Sequence, residues 1–235
     1  MSGHRLSNQQ LLSIFREAIE APALEMSSAV ERPRAVFLGG QPGCGKSTVA
    51  RASGSEFAEE GFVHVDVDRV RHVHPDYLPL ISRPETEIDA PSMVQRDCSK
   101  WVDMLVLSAA DNRRNMLVDG TMRVPEQVEM ASQLLRAKGY TLEAHIMAVP
   151  EKVSEVSLLV RFEHEKQRLG YGRTIPFDYH DLAVMGIVDS VRAIEVDNLF
   201  DKMVIFNRAG ESLYENELVG GVWKNEPCGA EVMAD

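Results

Sequence analysis

The chain is short of cysteine, of basic residues and of long apolar runs, and each shortage closes off a class of protein. Only Cys44, Cys98 and Cys228 occur among its 235 residues. So odd and sparse a set of thiols argues against a disulfide framework. There is no CxxC pair, and the stretch beginning at His164 lacks the second histidine of an HExxH motif. A metalloenzyme of that kind is not expected. Lys and Arg total 25 against 36 Asp and Glu, a formal net charge of −11. That field disfavours nonspecific attraction to nucleic acid or an anionic membrane, so neither is an expected partner. A site for a small anion must then be locally basic, which directs attention to clustered arginines. No apolar run reaches the length of a membrane span, and the opening MSGHRLSNQQ has no apolar signal core. A cytoplasmic protein is the expectation.

What is present reads as an α/β chain. Residues Asn8 to Glu31 carry Leu11, Leu12, Phe15 and Ile19 at helical spacing, and Pro33 ends this lead-in. Ala35 to Gly39 is a short apolar run suited to a buried strand. A glycine-rich stretch follows, then helix formers from Ser47. VHVDVD, with Val63, Val65 and Val67, predicts a second strand. Four prolines between Pro75 and Pro91 predict a loop, and Ser92 to Ala110 a helix. Asn115 to Val118 predicts a third strand, ending on Asp119 and Gly120. A helix is expected from Pro125 to Lys138, stopped by Gly139. Leu142 to Val149 predicts a fourth strand, followed by helices over Val153–Leu169 and Phe177–Val196, broken by Gly170 and Gly172. Lys202–Phe206 and Ser212–Tyr214 read as edge strands, and the polar tail from Lys224 is expected to fray. Alternating strands and helices predict one α/β domain over residues 1–235, a mostly parallel sheet with helices on both faces.

The firmest motif is GGQPGCGKST. Gly40, Gly45, Lys46 and Ser47 satisfy G-x-x-x-x-G-K-[ST]. Glycines let such a loop wrap phosphate with its backbone N–H groups, and the following helix points its positive end at the same anion. The whole stretch Gly40, Gln41, Pro42, Gly43, Cys44, Gly45, Lys46, Ser47 and Thr48 is therefore the candidate cradle for ATP or GTP. Lys46 would reach the β- and γ-phosphates and Ser47 would bind Mg²⁺. Cys44 occupies a variable position and reads as a filler.

Three further groups point to transfer of phosphate. Asp66, Asp68 and Asp119 fall at predicted strand ends, where ligands of open α/β sheets sit. One could support Mg²⁺ and another accept a proton from an attacking hydroxyl, although turn-forming or capping aspartates look the same in sequence. Arg161 and Arg168 are seven residues apart and share a helix face, and Arg173 follows the GYG break. Arginine donors stabilise charge on a transferring phosphoryl group, and a helix with a glycine-flanked loop suits a lid. Salt bridges along a solvated helix are the alternative for Arg168. HVHPDY, from His72 to Tyr77, is a candidate wall of an acceptor pocket. Trp101 reads as a core anchor.

Taken in order, these stretches resemble the zeta toxin family, the toxic kinases of bacterial toxin–antitoxin pairs. AVERPRAVFLGGQPGCGKST is similar to the family's strand and P-loop, and VDVDRVRHVHPDY to its acidic strand end and His-Pro turn. LVDGTMR, RAKGYTLEAHIMAVP and DKMVIFNRAGESLYENE resemble its later segments, so the likeness runs from about Ala29 to Tyr214. The resemblance implies ATP-dependent phosphorylation of the 3′-hydroxyl of the sugar of UDP-N-acetylglucosamine, which starves peptidoglycan synthesis, and a small helical antitoxin over the ATP site. It assigns Lys46 and Ser47 to nucleotide and Mg²⁺, Asp68 to the catalytic base, and Arg161 and Arg173 to the transferring phosphate. Thr121 and Arg123 match the segment lining the sugar-nucleotide pocket. Asp119 is a second candidate for the metal, and His74 for the acceptor wall. The family carries a glutamate on the helix before its third strand; an ungapped count from DGT lands on Asp103. Other acceptors (another UDP-sugar, a dinucleotide, an antibiotic) remain alternatives, as does a nucleotide-dependent switch with no acceptor.

Overall fold

The computed structural model describes residues 5–57 and 59–234. Seven strands form one sheet in the order β2-β3-β1-β4-β5-β6-β7. β1 (Arg34–Gly39) is the middle one of the five parallel strands, between β3 (Met116–Asp119) and β4 (Thr141–Met147), and β2 (Val63–Asp66) flanks β3. These four and β5 (Lys202–Phe206) run parallel, whereas β6 (Ser212–Val219) and β7 (Val222–Trp223) turn back antiparallel. Because β1 is covered on both faces, its run is continuously apolar rather than alternating. Phe37 points into one layer, edge-on to Phe200 at 5.2 Å, while Val36 and Leu38 point into the other with Val49 and Leu117.

The first helical stretch is α1 (Asn8–Ile14), a π-helical segment Phe15–Glu20 and α2 (Ala21–Glu25). It stops short of the expected Glu31, because Ser27 and Ala29 leave it to bridge Gly61 and Arg114. Trp101, fully buried on α6 (Ala90–Asp111), donates its indole N–H to Leu11 O at 2.9 Å and so anchors α1. The helix after the P-loop, α3, spans Lys46–Ser55. α7 (Pro125–Ala137), α8 (Glu151–Leu169) and α9 (Phe177–Val196) fall close to their expected bounds. No helix among the described residues is long and apolar enough to cross a membrane.

Four expectations need correction. β2 ends at Asp66, and Val67 opens α4 (Val67–Arg71), because the Asp66 carboxylate accepts the Asp68 N–H at 2.8 Å and caps a helix there. The proline-rich segment is not all loop: it holds α5 (Tyr77–Ile81) and the start of α6. Pro79 and Pro91 fall in first turns, where the missing N–H has no intrahelical acceptor to lose. β5 is interior, between β4 and β6. The tail forms α10 (Gly229–Ala234), since the buried Glu195 carboxylate receives the Gly229 N–H at 3.1 Å.

Candidate active site

The P-loop joins β1 to α3 beyond the carboxyl end of the central strand. Gly43 and Gly45 have φ of 84° and 96°, a region closed to most side chains. A Cβ at Gly43 would stand 2.3 Å from the Ser154 carbonyl, so the loop also packs directly on the first turn of α8. Lys46 Nζ donates to Gly40 O at 2.8 Å, which folds the side chain back over the loop it serves. Ser47 and Thr48 are exposed in the first turn of α3, and Pro42 is half-buried. Two loop side chains face away from this cradle. The buried Gln41 amide donates to Val149 O at 2.6 Å and to Ser154 Oγ at 3.3 Å, and Ser154 in turn meets His180. Cys44 is wholly buried, and burial pushes its thiol up, so it is a filler and only its backbone belongs to the cradle.

The acids converge because β2 and β3 are paired in parallel with Asp66 opposite Asp119. Burial pushes the Asp119 carboxyl up to about 6, with Lys46 opposing and Asp66 and Asp68 adding to the shift. His64, Asp66 and Asp119 offer ligand atoms within 4.8 Å of one another. A hard cation among crowded carboxylates relieves their repulsion, so the donor set at Asp66 and Asp119 fits Mg²⁺.

Asp68, in the first turn of α4, is held between two guanidiniums. Arg71 Nη1 makes a short contact with Oδ1, and Arg173 Nη1 stands 3.4 Å from Oδ2. Arg71 also reaches Gln95 on α6. Arg173 is itself gripped by Glu165, which accepts its backbone N–H at 2.8 Å and its Nε at 3.1 Å. Arg161 lies close by: burial, and next the like charge of Arg173, lower its pKa, and its buried Nε has no hydrogen-bond partner. A pair of crowded arginines short of one acceptor is suited to an incoming anion. The Tyr77 hydroxyl feels the same charges, and burial keeps it protonated by pushing it up to about 12.

A cleft of about 610 Å³ opens along the outer face of α8, lined by Val156, Val160, Arg161, His164, Arg168 and Arg208 among others. Arg208 Nη1 donates to Gly43 O at 3.1 Å, which ties the cleft to the P-loop. The remaining candidates sit elsewhere. His74 is a correction: it is buried against Trp101 and lies 3.7 Å from Asp97, and its Nδ1 accepts the Asp76 N–H, so it holds a turn and no longer counts as acceptor wall. Asp103 is exposed on α6, four residues beyond Ser99 and eight beyond Gln95 on the same helix. Thr121 O accepts the Gly40 N–H at 3.4 Å, and Arg123 stacks over the Tyr179 ring at 4.6 Å. In the sequence Arg71 and Glu165 look like ordinary surface charges, and only Arg208, two residues before a turn glycine, carries any signal.

Comparison with known proteins places the chain in a family. The sequence model of the zeta toxin family matches residues 20–219. Toxin PezT of Streptococcus pneumoniae serotype 4 is 31% identical over 206 residues, 87% of this chain and 78% of that protein. Toxin zeta of Enterococcus hirae is 28% identical over 190 residues, 80% of this chain and 65% of that protein. A solved structure from the PezAT toxin–antitoxin system of S. pneumoniae superposes with a TM-score of 0.80 at 26% identity, covering 100% of this chain and 88% of that one. The AvrRxo1-ORF1:AvrRxo1-ORF2 complex, at 16% identity and TM-score 0.65 over 95% of this chain and 70% of that one, shares the fold.

Proposed function

We propose, from the premise that this chain belongs to the zeta toxin family, that it is an ATP-dependent kinase. The acceptor in this reading is the 3′-hydroxyl of the sugar of UDP-N-acetylglucosamine. The observation that carries the reaction type is the meeting of Asp68 with Arg173 beside the P-loop. A nucleotide switch needs no carboxylate held between two arginines.

In the proposed reaction the P-loop N–H groups and Lys46 hold the triphosphate, and Arg208 and the α8 cleft flank the nucleoside. Ser47 and Asp119, with Asp66 beside it, would hold Mg²⁺, which supplies charge neutralisation at the phosphate oxygens. Asp68 takes the proton of the acceptor hydroxyl as its oxygen attacks the γ-phosphorus, and ADP leaves. Arg161 and Arg173 donate to the equatorial oxygens of the transferring group, where negative charge is spread. Arg71 orients Asp68 through its contact with Oδ1. Thr121, Arg123 and Asp103 are the proposed contacts to the sugar nucleotide.

A partner over the nucleotide cleft is part of this proposal. Val153, Val156, Leu159 and Val160 are exposed along α8 beside the cleft. An apolar stripe next to a phosphate site suits an amphipathic helix of a small antitoxin. The test is incubation of the protein with γ-labelled ATP and, separately, UDP-sugars, nucleosides and dinucleotides, with mass spectrometry of the products. Label on UDP-N-acetylglucosamine that disappears in Lys46→Ala is the expected result. Label on no small molecule, with slow ATP hydrolysis alone, would sink the kinase reading.

A further inference from the structure

The loop that delivers Arg173 is fastened at a second point, to a part of the chain that no motif marks. Glu87 lies in the connection between α5 and α6 and is only 7% exposed. Its Oε1 accepts the Gly172 N–H at 2.9 Å, and its Oε2 receives Lys166 Nζ at 2.7 Å. Both donors belong to the lid: Lys166 to the last turn of α8, Gly172 to the residue before Arg173. Burial alone would raise the Glu87 pKa, but these two partners lower it below the usual glutamate value, so the carboxylate is charged.

Glu87 is itself well placed. Its N–H donates to Arg83 O at 2.8 Å, and Thr86 Oγ1 donates to Leu80 O at 2.6 Å, so the turn after α5 is closed on itself. The lid side is equally constrained. Gly172 is buried, and a Cβ there would come within 2.5 Å of Phe162 O. The next residue, Arg173, gives its own N–H to Glu165. Two consecutive amides of the lid loop are thus bound by two carboxylates, Glu165 from α8 and Glu87 from the segment that carries Tyr77.

We propose that Glu87 is a positioning residue, the latch that joins the acceptor-side segment 77–89 to the lid and so sets Arg173 against Asp68. The proposal rests on the kinase reading above for its catalytic consequence, while the latch itself stands on the geometry. Glu87 touches no reacting atom. It acts through the backbone of Gly172, and movement of segment 77–89 on acceptor binding is passed to the Arg173 guanidinium. Misplacement of a phosphate-binding group by about 1 Å costs up to about 100-fold in rate.

Two readouts test it. Amide exchange at Gly172 and Arg173 is measured in the ligand-free protein, and steady-state phosphoryl transfer is measured alongside. Glu87→Ala is expected to speed exchange at Gly172 at least about tenfold and to lower kcat about 10- to 100-fold, with KM for ATP nearly unchanged. Glu87→Gln keeps an acceptor for the Gly172 N–H and is expected to restore most of both. Lys166→Met, on the exposed side of the latch, is expected to show the same changes more weakly, and it decides the matter should Glu87→Ala not fold. Unchanged exchange at Gly172 in Glu87→Ala and Lys166→Met, or unchanged kcat with faster exchange, overturns the proposal. If the unaltered protein transfers phosphate to nothing, the kinase reading fails, and the exchange arm still decides whether the latch exists.

Discussion

Arg173 Nη1 reaches to within 3.4 Å of Asp68 Oδ2 across 105 residues of chain. Neither side chain is special where it stands in the sequence. The parallel pairing of β2 with β3 brings Asp68 to the mouth of the P-loop, and the turn at Gly170, with φ of 82°, brings Arg173 back from the end of α8. In the proposed reaction Asp68 accepts a proton, so an acceptor hydroxyl would have to displace part of this pairing.

Asp68→Asn keeps the size of the side chain and removes its basicity. Phosphoryl transfer is expected to fall about 10²- to 10⁴-fold while ATP affinity changes little. Single-turnover transfer and equilibrium nucleotide binding, run on the same preparation, separate the two. A near-normal transfer rate would remove Asp68 from the role of base.

Arg161 carries a buried Nε with no partner and a neighbouring arginine that disfavours its charge. In the proposed reaction an arriving phosphoryl group offsets both costs. Arg161→Ala is expected to lower kcat by about 10³-fold, the lower end for a transition-state arginine. Arg161→Lys should recover little, because a compact ammonium does not reproduce the planar fork. Equal activity of the lysine variant and the parent would show that Arg161 supplies charge alone.

Asp119 makes a pH prediction whose sign can be worked out. Its folded pKa of about 6 stands above the ordinary aspartate value of about 3.9. The folded state therefore binds this proton more tightly than the unfolded state. Stability from this group is full below about pH 4 and is lost as pH rises through about 6. Asp119→Asn is expected to stabilise the protein by on the order of 1–3 kcal/mol at pH 7.5, and to give no such gain at pH 4. Urea denaturation at the two pH values checks this. Transfer activity should fall in the same variant, since Asp119 is a proposed Mg²⁺ ligand.

Gly43 combines a φ of 84° with a neighbouring carbonyl oxygen that a Cβ would meet at 2.3 Å. Gly43→Ala must both strain the loop and push α8 away from it. A loss of about 1–3 kcal/mol of stability is expected, with weaker ATP binding. Gly45→Ala is the control for φ alone, because the space beside Gly45 is open except for Arg208 at 4.0 Å. If the two variants were equally stable, the contact with α8 would carry no weight.

The sequence by itself determined the parts whose physics is local. The P-loop was legible because phosphate binding by backbone needs glycines at set intervals. The parallel core was legible because strands covered on both faces are apolar throughout. Asp68, Arg161 and Arg173 were found as types suited to phosphoryl transfer. Only the tertiary structure decided which of them meet. Gln41 and His74 stand in promising motifs, yet the Gln41 amide nitrogen bonds to Val149 and Ser154 and His74 Nδ1 to the Asp76 N–H, so both buried side chains face away from the cradle. Nothing adjacent in the sequence marks Arg71, Glu165 and Glu87; packing of α4, α8 and the α5–α6 turn sets them against Asp68, Arg173 and Gly172. Local backbone chemistry is written in adjacent residues, whereas the partner of a charge is set by long-range pairing of strands and helices.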